Sequence, residues 1–384
     1  MTGSLFRAYS LSVIFFAIIS FPFINDRLQL VADTQNFENR RLSQKPPFDI
    51  QNLDPYPAAF EAYYNDTFAL RSRIINYFNI YNCVFLSKST FPAKIIIGKN
   101  RWLYIVGPDI ETYLGQNRLT EKELLTYKHE FEFRKKQLES QNCKFYILIA
   151  PGKANVHPEN LPFTYIRENT QCWGQQLIDY MNKNSDVNMI DIFGPFQQLK
   201  SQEAPLYFSD DNHWNKLGGF YAANIATAAM SKDFPVLKPQ PIGGMNVKKE
   251  PASPGNLKSL LGNLDIFESV QYNVIPKKGF FAVDISLPYL PQGYCPYPES
   301  YALGKEIKNS GQPRLLIFSD SFGGNFFPFI SENFSRTVKV FAGWDYTLIN
   351  EIIEQEKPDA VLIVVHEPLI RNILKHLSYP GHPE

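Results

Sequence analysis

The chain has 384 residues, with 38 basic and 38 acidic side chains and a formal net charge of zero. The absence of any basic block argues against nucleic acid as a partner. The length allows one large domain or two ordinary ones, and the aromatic content of 15% suits a large core or a carbohydrate-binding surface.

Arg7 precedes an uncharged stretch, Ala8 to Ile24, that is closed by Asn25-Asp26-Arg27. Its length meets the short limit for a membrane-crossing helix and also fits the apolar centre of a secretion signal. Leu30-Val31-Ala32 makes a poor cleavage site. Residues 1–32 therefore read as an uncleaved signal anchor, with its basic end inside and the bulk of the chain exported. A buried core helix is the plainer alternative. Residues 33–94 read as a tether, punctuated by Pro46, Pro47, Pro55 and Pro57, leading into a helical region. There Phe60, Tyr63, Tyr64, Phe68, Ile74, Ile75 and Phe78 keep helical spacing, interrupted at Asp66-Thr67. Ile95 to Ile105 is a predicted hairpin with Gly98-Lys99-Asn100 at its turn.

Strand and helix then alternate. Thr120 opens a predicted helix to about Gln141, with Glu123 placed for a capping box. Lys144 to Ala150 reads as a buried strand, Thr170 to Asn182 as helix, Val187 to Ile192 as strand and Asn215 to Met230 as helix. Arg314 to Phe318 is a predicted strand, followed by helix from about Gly324 to Asn333. Strand, helix and strand follow at Thr337 to Phe341, Tyr346 to Gln355 and Ala360 to Val365. This rhythm predicts an α/β fold with a mostly parallel sheet covered on both faces. Residues 235–312, rich in Pro and Gly, break it; they read as an insertion near the site, a substrate-binding flap with local strands around 270–285. The four cysteines, Cys83, Cys143, Cys172 and Cys295, include no C-x-x-C pair, which argues against a zinc or redox site. In an oxidising compartment Cys143 with Cys172 is the first disulfide to test, and four unrelated buried thiols are the alternative.

Two segments carry the chemistry. Ser321 follows an apolar strand and precedes Gly323-Gly324 and a helix, which exposes it at the C-terminal end of the sheet. Its own N–H, with those of Gly323 and Gly324, forms a candidate oxyanion hole. The bland alternative is that Ser319, Asp320 and Ser321 only cap the helix. In Asp211-Asn212-His213-Trp214, positions i and i+2 of an extended segment face one side. Asp211 can then hold Nδ1–H of His213 and leave Nε2 free as a base for Ser321. Trp214 packs beside the ring, and Asn215 caps the next helix. A structural Asp with a capping His is the plainer reading. Asp210 competes with Asp211 for the orienting role, and a metal site on Asp210, Asp211 and His213 is a rival that lacks a visible further ligand.

In these residues the chain resembles the SGNH-hydrolase-like family that includes the alginate O-acetylation proteins of bacterial envelopes, also called DHHW proteins. The matching segments are Gly98 to Tyr104, Ala150 to Lys153 with Pro158 to Pro162, and Asp211 to Asn215 with Leu217-Gly218-Gly219. Ser319 to Phe322 and Pro358 to Val361 with Glu367 complete the set, in the family's order, over about residues 95–370. The resemblance implies a three-layer SGNH-hydrolase-like sandwich over residues 95–384, with a permuted order in which the acid–base pair precedes the nucleophile. It implies Ser321 as nucleophile, His213 as base and Asp211 as its orienter, with Lys153, Trp214 and Asn215 at the substrate, and neither cofactor nor metal; the plainer reading of Lys153 is a solvated loop charge. The family has Gly where this chain has Ser319, which would strain the backbone if the position needs a positive φ. The implied function is O-acetyl transfer to an exported polysaccharide through an acyl-serine. Its partner would be a membrane-bound O-acyltransferase, with the anchor in the inner membrane and the catalytic domain in the periplasm. A carbohydrate O-acetyl esterase uses the same triad, and a carbohydrate-binding protein with a lapsed triad, or a structural envelope protein, stands as the non-enzymatic alternative.

Overall fold

Alternation along two central strands builds the core. In Lys144–Ala150, Tyr146 and Leu148 face one hydrophobic cluster, while Phe145, Ile147 and Ile149 face another. Ala360–His366 does the same, with Leu362 and Val364 on the first side and Val361, Ile363 and Val365 on the second. Strands apolar on both faces need cover on both faces. The computed structural model describes residues 2–32, 42–51, 53–86, 88–169, 171–201, 204–289, 302–341, 344 and 346–373. Its described residues divide into two compact units, Met1–Pro92 with Lys258–Phe267, and Ala93–Leu257 with Glu268–Glu384.

Among its described residues the second unit contains eleven strands: β1 (Ile95–Ile97), β2 (Leu103–Ile105), β3 (Lys144–Ala150), β4 (Asn188–Ile190), β5 (Met245–Pro251), β6 (Val270–Pro276), β7 (Val283–Ile285), β8 (Ala302–Glu306), β9 (Arg314–Ser319), β10 (Arg336–Val340) and β11 (Ala360–His366). Seven form one sheet in the order β4-β3-β11-β9-β10-β8-β7. The first five run parallel, and β8 and β7 are added antiparallel at one edge. Helices Lys216–Met230 and Gly323–Ile330 contribute to the first cluster, and Glu121–Glu139, Trp173–Asn184 and Tyr346–Glu356 to the second. The result is a three-layer α/β sandwich.

Local chemistry explains the ends of these elements. Thr120 accepts from Glu123 N while the Glu123 side chain accepts from Thr120 N, closing the expected capping box. β1 and β2 pair around a turn in which Asn100 and Arg101 adopt positive φ. A Cβ on Gly98 would lie 2.2 Å from the Asn160 carbonyl, so the Pro158 to Pro162 segment packs directly on this hairpin.

The strands expected around 270–285 are present as β6 and β7: β6 forms a ribbon with β5, and β7 with β8 extends the main sheet. The expected disulfide is corrected. Cys143 and Cys172 are both free and buried. Cys143 precedes β3, whereas Cys172 lies against Glu367, beyond the other end of the paired strand β11. Seven strand residues separate those ends by roughly 20 Å, far beyond the reach of a disulfide. Cys295 and Thr170 lie outside the described residues.

In the first unit, Thr2–Leu28 is a single helix whose Tyr9–Leu28 portion averages 1.6 in hydropathy and is almost wholly exposed. By length and composition it suffices to cross a bilayer. Helices Tyr56–Thr67 and Arg71–Phe85 follow, separated at Phe68 to Leu70.

Candidate active site

Ser321 stands two residues beyond β9, a strand held between β10 and β11. The turn after the strand is fixed by Asp320. Its carboxylate accepts Phe322 N at 2.9 Å and His366 N at 2.6 Å, tying the turn to the end of β11. Burial raises the pKa of this carboxyl group, and the two N–H donors oppose that rise. Ser321 itself is left exposed.

The segment Tyr207 to Asn215 turns back on itself. Tyr207 bridges Trp214, and Asn215 N donates to Leu206 O at 2.9 Å. The loop thrusts Asp211 and His213 towards Ser321. His213 Nδ1–H donates to Asp211 Oδ1 at 2.6 Å, and His213 Nε2 accepts from Ser321 Oγ at 2.7 Å. An ionised Asp only accepts, which assigns the proton to Nδ1. Burial would raise the Asp211 pKa, but the His213 ring and the N–H groups of Asn256 and His213 hold it down at about 2.

The three residues expected to act together therefore meet, despite 108 positions between His213 and Ser321. Trp214 joins their two segments a second time. It is fully buried, its Nε1–H donates to Phe322 O at 2.9 Å, and its ring packs edge-on against Phe322 with centroids 4.9 Å apart. Asn325 Nδ2 donates to Trp214 O at 2.9 Å. The helices behind these segments touch backbone to backbone: a Cβ on Gly219 would fall 2.1 Å from Asn325 O.

Lys153, Trp214 and Asn215 were placed at the substrate by resemblance, but each is buried beneath the site. Lys153 Nζ donates to the carbonyls of Leu103, Ser209 and Asp211 at 2.7, 2.9 and 3.0 Å, and it lies 4.8 Å from the Trp102 ring centroid. It clamps the loop that carries Asp211; burial pulls its pKa down to about 7 against the pull of neighbouring carboxylates. Asn215 caps Lys216–Met230 by accepting from Leu217 N and Gly218 N. The N–H groups of Gly323 and Gly324 are taken by Asp320 O and Ser321 O, both at 3.1 Å. Of the expected oxyanion donors, only Ser321 N–H is open among the described residues. Ser319 is not strained: it ends β9 and lacks a positive φ. Its cost lies instead in a buried hydroxyl without a hydrogen-bond partner among the described residues.

Several contributors were missed. Asp211 Oδ2 accepts Asn256 N at 2.8 Å and Asp210 Oδ2 accepts Gly255 N at 2.9 Å, so the chain after β5 grips both acids. A Cβ on Gly255 would lie 2.5 Å from Asp210 O, so this grip requires glycine. With these donors, Asp210 is committed to the loop's architecture and Asp211 alone faces the imidazole. Below the triad, the Phe322 ring stacks on His366 at 4.1 Å and lies 5.1 Å from His213. Glu367 accepts from Thr112 Oγ1, Gly152 N, Asn155 Nδ2 and Gly174 N, at 2.7 to 3.0 Å. Asp109 is pushed up to about 7 by burial and then by Glu367. No sequence periodicity signals Asp109, Thr112, Asn155, Gly174, Gly255 or Asn256, whereas Gly152, Phe322 and Glu367 lie in the matching segments.

Residues 95–280 match the family model described as SGNH hydrolase-like domain, acetyltransferase AlgX. Among solved structures, PatB1 of Bacillus cereus is 18% identical, with a TM-score of 0.52 over 72% of this chain and 96% of that one. A DHHW family protein from Eubacterium siraeum is 17% identical, with a TM-score of 0.47 over 70% and 88%. The O-acetyltransferase domain of Pseudomonas putida AlgJ is 14% identical, with a TM-score of 0.44 over 72% and 91%. At such identities the likeness to PatB1 concerns the fold. No curated protein matches the chain.

Proposed function

We propose, from the match of residues 95–280 to the family model of the SGNH hydrolase-like domain, acetyltransferase AlgX, that this chain is an O-acetyltransferase acting on an exported polysaccharide. The observation that carries the proposal is the unbroken chain from Asp211 through His213 to Ser321, with links of 2.6 and 2.7 Å. Ser321 Oγ attacks the acetyl carbonyl of the donor while His213 Nε2 takes the hydroxyl proton. Asp211 stabilises the imidazolium that results. The oxyanion draws on Ser321 N–H. As the tetrahedral intermediate collapses, His213 returns the proton to the departing donor group, leaving acetyl-Ser321. A sugar hydroxyl then gives its proton to His213 and takes the acetyl group, and His213 passes that proton to the departing Ser321 Oγ. The acid–base pair precedes the nucleophile in the chain, and we read this as the permuted order of the family.

The apolar helix Thr2–Leu28 is assigned as a membrane anchor, residues 33–94 as tether and helical region, and residues 95–384 as the catalytic domain on the periplasmic side of the inner membrane. A membrane-bound O-acyltransferase would supply the acetyl group. A second reading, carbohydrate O-acetyl esterase, draws on the exposure of Ser321, which admits water as acceptor. The test is a fluorophosphonate adduct on Ser321, lost in Ser321→Ala, followed by mass spectrometry of acetylated product with oligosaccharide and with water as acceptors. An intact, folded protein that takes no adduct would refute a catalytic Ser321 and favour a binding role. Acetate release without acetylated sugar would assign the esterase.

A further inference from the structure

The helix Arg71–Phe85 is inside out for a helix in water. Ile74, Tyr77, Phe78, Tyr81, Val84 and Phe85 recur at intervals of three and four and so share one face. That face is open: Tyr77, Phe78, Tyr81 and Phe85 are each more than half exposed, whereas Asn79 is buried. A water-soluble amphipathic helix has the opposite arrangement. Two neighbouring features say what the face meets. One is the helix Tyr9–Leu28, apolar and long enough to cross a bilayer. The other is a cavity of about 520 Å³ within the same unit, with Ala17, Ile18 and Phe21 on one wall and Leu70, Ile74 and Tyr77 on the other. Arg73 also lines it, and its Nε is buried without a hydrogen-bond partner among the described residues.

Length decides how the helix can lie. Its 15 residues span about 22 Å, less than the ~30 Å hydrocarbon core, so it cannot cross. No charged residue follows Arg73 until Lys88. Two arginines at one end and a stripe of Tyr and Phe beyond them match the headgroup and acyl boundary of a bilayer.

We propose that Arg71–Phe85 lies in the plane of the membrane surface beside the apolar N-terminal helix, with its aromatic stripe in phospholipid and an acyl chain in the cavity. This rests on reading Thr2–Leu28 as a membrane anchor. The test uses the full chain in nanodiscs made with phospholipid brominated at carbons 6 and 7. Tryptophan is introduced singly as Tyr77→Trp, Phe78→Trp or Tyr81→Trp, with Phe16→Trp and Lys248→Trp as references. The four native tryptophans are buried and give a constant background. The inference expects at least a twofold loss of the added emission at 77, 78 and 81, and none at 248. It is overturned if Phe16→Trp is quenched and these three are not, since the anchor then stands without the in-plane helix. It is also overturned if cross-linking shows the stripe covered by a second protein chain. If Phe16→Trp escapes quenching as well, the anchor assignment itself has failed.

Discussion

Asp211→Asn removes one negative charge and almost no volume. The native carboxylate accepts three N–H donors: His213 N at 2.9 Å and His213 Nδ1 at 2.6 Å on Oδ1, and Asn256 N at 2.8 Å on Oδ2. An amide offers one oxygen and one NH₂, so whichever way it turns, NH₂ meets an N–H. If it faces His213, the ring must carry its proton on Nε2, and the base for Ser321 is lost. If it faces Asn256, a backbone donor is stranded. Asp211 is held at about 2 instead of its ordinary 3.8, a difference worth about 2 kcal/mol. That much electrostatic support lost from the transition state slows the reaction roughly 30- to 60-fold. Reversal of the tautomer deepens the loss towards the ~10⁴-fold seen for the corresponding exchange in serine proteases. The assay is the first turnover of a chromogenic acetyl ester, with circular dichroism and urea unfolding to show that the fold is intact. A folded Asp211→Asn variant within threefold of the parent would refute the assignment of Asp211 as orienter.

Lys153→Met should lower stability by about 3 kcal/mol, because one buried and two half-buried carbonyls lose their donor; a urea midpoint equal to the parent's would show that the clamp is dispensable. Ser319→Ala should raise the melting temperature by about 2–4 °C, since it deletes a buried hydroxyl with no partner and keeps the Cβ. Gly219→Ala should cost about 2 kcal/mol and slow acyl-serine formation, because the added methyl would meet Asn325 O at 2.1 Å. The pH dependence has two limbs of opposite sign. Asp109, held at about 7 when folded but near 4 when unfolded, makes stability fall as pH rises from about 4 to 7, and Asp109→Asn should flatten that slope in urea midpoints. Asp211, held at about 2, makes stability fall as pH drops below about 4.

What could be read in advance was whatever local chemistry dictates. The Thr120 and Glu123 box, the Asn215 cap and the doubly apolar runs of β3 and β11 each state their structure within a few neighbours. The meeting of Asp211, His213 and Ser321 was legible because each sits where a strand or extended segment leaves a functional group at its end. Strand β8, with Gly304 and Lys305 inside it, carries weak strand signals, and only pairing with β10 makes it one. Lys153 looked like a loop charge because nothing nearby announces that three carbonyls from distant segments converge on it. The backbone N–H of Asn256 has no residue-type signature at all. Donors of that kind are invisible until the chain is folded.

The amide groups of Gly255 and Asn256 make one consequence unavoidable for anyone who would re-engineer this protein. Trading the stretch between Met245 and Val270 for one from a relative also trades away the two main-chain N–H groups that hold the Asp210 and Asp211 carboxylates. A graft must reproduce both main-chain protons before the contact between Asp211 and His213 can survive it.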